Sequence, residues 1–195
     1  MALILLFQNA IPLHAKMYPA DTLKNDSSAF AFIDAEFDST DNIVSFKSGH
    51  GYSIQYPKEW ERDKRAGDNV IFYLRAFDPK FPANFREMLT IIREPIDDIS
   101  KPLKDYVMMQ NTINENTWAK YDINYQVLNM QPFALQTFDA FQTYCTLTEV
   151  SQEKLLITFL KDTYAYKIEF TATDVTYKDF LKNVRKVVNS IDFTE

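Results

Sequence analysis

Gly51-Tyr52-Ser53-Ile54-Gln55-Tyr56-Pro57-Lys58-Glu59-Trp60 reads as a short strand in which large apolar and polar side chains alternate, stopped by a proline and followed by a tryptophan. Just upstream, residues 43–47 alternate in the same way, and Ser48-Gly49-His50-Gly51 between the two runs has the composition of a hairpin turn. The chain therefore opens its folded part on two adjacent strands, from Ile43 onward.

Strand signals dominate from Trp60 onward. Residues 60–65 read as a charged strand and Ala66-Gly67-Asp68-Asn69 as a turn. Residues 70–77 are almost wholly apolar, the pattern of a buried central strand. Pro79 and Pro82 make 78–84 a loop, and residues 86–93 form a strand ended by Pro95. A helix is predicted next, with Ser100 as N-cap, Pro102 in the first turn, and Leu103, Tyr106, Val107 and Ile113 at helical spacing. It stops before Tyr121, where residues 121–127 alternate as a half-buried strand that Pro132 breaks. Three further strands are expected over 138–149, 155–160 and 164–172. Thr176 with Asp179 has the form of a capping box, and Tyr177, Phe180, Leu181, Val184, Val188 and Ile191 draw one apolar stripe along a C-terminal helix. Many antiparallel strands with two one-faced helices predict an α+β layered fold: a central antiparallel β-sheet flanked by helices.

Composition bounds the chemistry. The chain has 195 residues, enough for one domain and an extension. Its 3 glycines argue against a glycine-rich phosphate loop. A formal net charge of −6 disfavours nucleic acid and anionic lipid as generic partners. The single cysteine, Cys145, permits no internal disulfide. Residues 2–7 are an unbroken apolar run, and Leu13-His14-Ala15 ends on a small residue before Lys16, so residues 1–15 are expected to be the remnant of a secretory signal cleaved after Ala15. The run is too short for a transmembrane segment. Residues 16–42 read as a polar linker or N-terminal extension, within which 28–37 carries Phe30, Phe32 and Ile33; residues 43–195 form the domain.

The order of these elements resembles the PsbP-like superfamily over residues 45–193. The carriers are the 51–60 stretch with its aromatic strand, Tyr-Pro and Trp; the helix start Pro102-Leu103-Lys104-Asp105-Tyr106; and Tyr164-Ala165-Tyr166-Lys167-Ile168 through Asn189-Ser190-Ile191-Asp192-Phe193. The resemblance implies an α/β/α sandwich with helices on both faces of the sheet. It also implies a docking or assembly role and no enzymatic activity, because the superfamily includes extrinsic subunits of photosystem II, a Ran-binding Mog-type factor, bacterial envelope proteins of the DcrB type and Eag-type adaptor chaperones.

No residue pattern argues against that. His50 lies between two glycines at a turn, and without cysteine or a second nearby histidine it lacks the three or four ligands of a zinc site. Cys145 is mid-strand, with Phe141 and Leu147 on the same side, which fits a buried structural thiol. The acidic groups at 38–42 and Asp97-Asp98 lack the spacing of a calcium loop, and no serine sits in Gly-x-Ser-x-Gly. The candidate binding residues are aromatic: Phe77, Phe81 and Phe85 in the proline loop, with Tyr52 and Trp60 as groove candidates, although alternating aromatics more often form the core of a sheet covered by a helix. The expectation is an extracytoplasmic (periplasmic or secreted), non-catalytic accessory protein. It would dock on another protein or a hydrophobic segment, and would take no cofactor. The alternatives are a small-molecule or calcium-type metal carrier using a pocket near His50, and a hydrolase.

Overall fold

The computed structural model describes residues 36–74, 86–97 and 100–193. The expected signal remnant, most of the extension, and the loop bearing Phe77, Phe81 and Phe85 lie outside them. A hairpin comes first: β1 (Ile43–Ser48) and β2 (Tyr52–Pro57) pair from Ser48↔Tyr52 to Ile43↔Pro57. Next come β3 (Glu61–Arg62), β4 (Val70–Tyr73), β5 (Met88–Pro95) and α1 (Leu103–Ala119). Strands β6 (Tyr125–Leu135), β7 (Phe138–Leu147), β8 (Gln152–Lys161) and β9 (Tyr164–Thr173) then lead to α2 (Tyr177–Asn189). β3 to β9 make one antiparallel sheet in the order β3-β4-β5-β9-β8-β7-β6.

Strand alternation decides what each face of this sheet buries. On β9, Tyr166, Ile168, Phe170 and Ala172 point into a large apolar core with Leu89 and Ile91 of β5 and Leu155, Ile157 and Phe159 of β8. The stripe of α2 closes that core with Leu181, Val184, Val187 and Val188, and Tyr52, Ile54 and Trp60 join it from the hairpin side. The alternate residues of β9 face the other way, where Ala165 packs against Tyr106 and Val107 of α1. Helices therefore cover opposite faces, and the fold is the expected α/β/α sandwich.

The chain end ties hairpin to sheet. Ser53 and Asp192 exchange backbone hydrogen bonds of 2.8 and 2.9 Å, and Ser190 Oγ accepts from the Gln55 N–H at 2.9 Å. Phe193 then lies 5.1 Å from the rings of Phe138 and Tyr166 and 5.6 Å from Tyr52. One turn before Ser190, Lys186 of α2 holds Asp41 at 2.7 Å while Phe37 packs on the core, so the last residues of the extension rest on the helix.

Several local expectations change in the fold. Pro132 does not break β6 but pairs with Phe141 inside it, and β6 is an edge strand, the one place in a sheet where a missing N–H can face outward. That strand starts at Tyr125, four residues later than its alternation suggested. Ser100 does not cap α1, whose N-cap is Pro102. The Thr176 hydroxyl makes no capping bond; it donates to Glu87 Oε1 at 2.7 Å and meets Thr173 Oγ1 at 2.8 Å. Ile113, counted in the apolar face of α1, is 45% exposed.

Candidate functional site

Of the residues nominated from sequence, Tyr52 and Trp60 are 1% and 4% exposed. The Tyr52 ring stands edge-on to Tyr166 at 6.3 Å, and Trp60 lies 6.1 Å from Phe72. Neither ring has a face left for a partner, because the hairpin side of the sheet needed large groups to close its core. His50 is fixed by its backbone: its N–H donates to Ser48 Oγ at 3.1 Å and its carbonyl accepts from the Tyr166 hydroxyl at 3.3 Å. A Cβ at the preceding Gly49 would collide with the Asp68 carboxylate, which accounts for glycine there. Among the described residues no three His, Cys, Asp or Glu side chains converge as a metal site would require. Cys145 is fully buried, and burial pushes its thiol up to about 12, against the smaller opposing pull of Tyr125 and Lys154.

The two helix–sheet contacts differ in chemistry. Under α2 the contact is apolar. Under α1 the sheet presents Thr90, Glu169, Leu156 and Thr143 as one cross-strand row and Ile92, Lys167 and Thr158 as the next. The helix answers with Val107, Gln110, Asn111 and Asn114, which share one face at spacings of three and four residues. The charges on this face are paired. Lys167 Nζ sits 2.6 Å from Glu94 Oε2 and 3.4 Å from Gln110 Oε1. Glu94 also accepts from the Tyr106 hydroxyl, and burial followed by that carboxylate pushes the Tyr106 phenol up. Lys154 donates to Glu169 Oε1, to which Thr171 Oγ1 also donates at 3.2 Å. Burial works against the charge of Glu169, but Lys154, the Thr171 hydroxyl and Lys167 together hold the carboxyl below its usual range. Deeper in, the Tyr125 hydroxyl donates to Asn111 Oδ1 at 3.1 Å. Lys167, Glu169 and Thr171 alternate with the apolar residues of β9, a pattern that does not reveal their cover by a helix; the usable signal was the Gln110, Asn111, Asn114 triplet on the helix face that meets them.

A second feature sits at one end of the sheet, where three connections lie side by side. Tyr125 pairs with Leu147, Leu147 with Gln152, and Gln152 with Thr173, so the α1–β6, β7–β8 and β9–α2 turns are neighbours. They are laced together: Thr148 N–H donates to the Asn124 carbonyl at 3.4 Å, Asn124 N–H to Glu149 Oε2 at 2.6 Å, and Asp174 N–H to the Ser151 carbonyl at 3.0 Å. Asp122 and Ser151 hold left-handed backbone there, with φ of 57° and 50°. Tyr121, Val150 and Val175 tip the three turns at 53%, 39% and 81% exposure. Exposed Asp122, Glu149 and Asp174 lie among them. No helix among the described residues is long and apolar enough to cross a membrane.

Comparison with known proteins agrees with this architecture. A family model described as PsbP-like protein matches residues 20–193. The solution structure of cyanobacterial PsbP (CyanoP) from Synechocystis sp. PCC 6803 superposes with a TM-score of 0.56 at 14% identity, covering 77% of this chain and 91% of that one. LpqN of Mycobacterium tuberculosis, described as involved in cell envelope biogenesis, gives 0.50 at 13% identity, covering 78% and 91%. At these identities the structural likeness speaks to fold alone. No curated protein sequence matches. With the family model spanning nearly the whole chain and the sandwich built as that family's relatives build it, the chain belongs to the PsbP-like family.

Proposed function

We propose that this protein is an exported, non-catalytic accessory protein that docks on another protein through the turn end of its sheet. The observation that carries this reading is the clustering of Tyr121, Val150 and Val175 on three hydrogen-bonded turns. Among the described residues the exposed large apolar side chains are these three and Ile113. Singly scattered exposed apolar groups need no explanation, but three carried on neighbouring, hydrogen-bonded turns offer the apolar contacts that a docking surface needs. The carboxylates of Asp122, Glu149 and Asp174 select a partner whose apolar contact is flanked by Lys or Arg, since like charges would oppose docking. Export rests on the leader pattern of residues 1–15. A contact by Phe77, Phe81 and Phe85 belongs to the same proposal and has its own variants.

The test is affinity capture from an envelope extract with the wild type, Val150→Asp/Val175→Asp, and Phe81→Ala/Phe85→Ala side by side, each first checked for an unchanged melting temperature. The reading expects one protein retained by the wild type and lost with the turn-end pair. Retention by that variant, or no specific retention by any form, removes the turn end from the docking role. Loss only with the phenylalanine pair transfers the role to the loop.

A further inference from the structure

Between α1 and the sheet lies a cavity of about 90 Å³, partly open to solvent. Its floor is Thr90, Thr143, Thr158, Lys167 and Glu169 with Ile92 and Leu156, and its roof is the Gln110, Asn111 and Asn114 face of α1. It lies across the sheet from His50, whose carbonyl meets Tyr166 on the α2 side. A helix–sheet seam that only had to hold the fold together would be apolar, as it is under α2. Here Asn111, Thr143 and Thr158 are 3%, 1% and 6% exposed, so polar groups have been taken out of water at a position where Leu or Val would pack without cost.

We propose that this cavity is a binding site for a short uncharged polyol, or for the hydroxyl-bearing end of a larger molecule of that chemistry. Charge excludes the ionic classes. The lysines and carboxylates on this face pair with each other, Lys167 with Glu94 and Lys154 with Glu169, so the local sum is neutral. A charged guest would have to break one pair and leave its partner buried and uncompensated. An apolar guest fails on the other side, because the hydroxyls of Thr143 and Thr158 and the amide N–H groups of Gln110 would lose water and gain no partner, whereas Gln110 Oε1 and the Asn111 amide are already bonded to Lys167, Tyr125 and Met130. Hydroxyls and primary amides each both donate and accept, and so do the hydroxyls of a polyol. Ile92, Val107 and Leu156 supply the apolar contacts that its carbon chain needs. Size agrees: an apolar cavity of about 150 Å³ takes the six carbons of benzene, so one of about 90 Å³ encloses roughly four non-hydrogen atoms, with the open side left for the rest.

Glycerol is the probe, titrated against the ¹⁵N-labelled full chain, with sodium acetate, methylammonium chloride and 1-propanol as charged and apolar controls of similar size. The expected result is saturable shifts at the amides of Asn114, Thr143 and Thr158 with glycerol alone. Thr158→Val keeps the shape, removes one hydroxyl, and should weaken half-saturation about five- to tenfold. If Thr158→Val loses its dispersed spectrum, Gln110→Met, on the half-buried helix face, serves in its place. Shifts that rise linearly without saturation would mean that water alone fills the cavity, and would overturn the proposal. Tighter saturation by acetate or methylammonium would overturn the uncharged class, and saturation untouched by either variant would place the site elsewhere.

Discussion

Replacing Lys154 by Met removes one charge from the pair under α1 and keeps a stem of similar length against Trp118, whose ring centre lies 5.4 Å from the ammonium. The size of the effect follows from exposure. Breaking a fully buried ion pair costs about 3–5 kcal/mol, while an exposed pair contributes about 0–1 kcal/mol. Lys154 and Glu169 are 11% and 34% exposed along their side chains, between those limits, so a loss of about 2 kcal/mol is expected at neutral pH. That corresponds to roughly 4–8 °C in Tm for a chain of this size. The pH dependence carries a definite sign. In the wild type the folded Glu169 carboxyl lies below its ordinary 4.5, so it stabilises the fold above that value and loses the contribution as pH falls through the folded value. Without Lys154 the main influence opposing burial is gone, so the folded value of Glu169 moves upward from its wild-type position. The variant is then penalised relative to the wild type at neutral pH, and the difference shrinks as acid neutralises the carboxyl. Urea titrations at neutral pH and at about pH 4.5, read through buried Trp60, should show the gap between wild type and variant shrinking on acidification. Adding Glu169→Gln to Lys154→Met should restore at least half of the loss at neutral pH. A Lys154→Met protein within about 0.5 kcal/mol of the wild type, or a gap that ignores pH, would refute the idea that this pair is held together against its own burial.

Two other outcomes follow from the packing. Phe193→Ala takes a half-buried ring from among Tyr52, Phe138, Phe159 and Tyr166, and should cost about 2–3 kcal/mol by urea denaturation; a loss under about 1 kcal/mol would show that the chain end does not close this core. Cys145, with its thiol pushed up to about 12, should ignore an aromatic disulfide reagent at about pH 8 in the native protein and react after denaturation, whereas rapid native reaction would contradict its burial.

Local pattern in this chain was legible wherever a side chain's neighbours along the strand or helix decide its environment. The alternation of Tyr166, Ile168, Phe170 and Ala172 and the stripe of α2 each bury one face against the same core, so periodicity alone places them. The hairpin around Gly51 is equally local, with φ of 79° at that glycine. Even the mixed alternative for Tyr52 and Trp60, groove or core, was set by sequence; their burial came only from assembly with Phe72, Tyr166 and Phe193. Pro132 could be accommodated only because β6 turned out to be an edge, which is a property of strand order and not of residues 121–135. The same holds for both candidate sites. Tyr121, Val150 and Val175 are distant in sequence, and antiparallel register alone brings their turns side by side. Gln110, Asn111 and Asn114 look like a solvent face until a sheet closes over them. What the sequence by itself determined was which face of each element is apolar; what only the tertiary structure decided was which polar face is covered, because burial of a polar group depends on what packs above it and leaves no period in the chain.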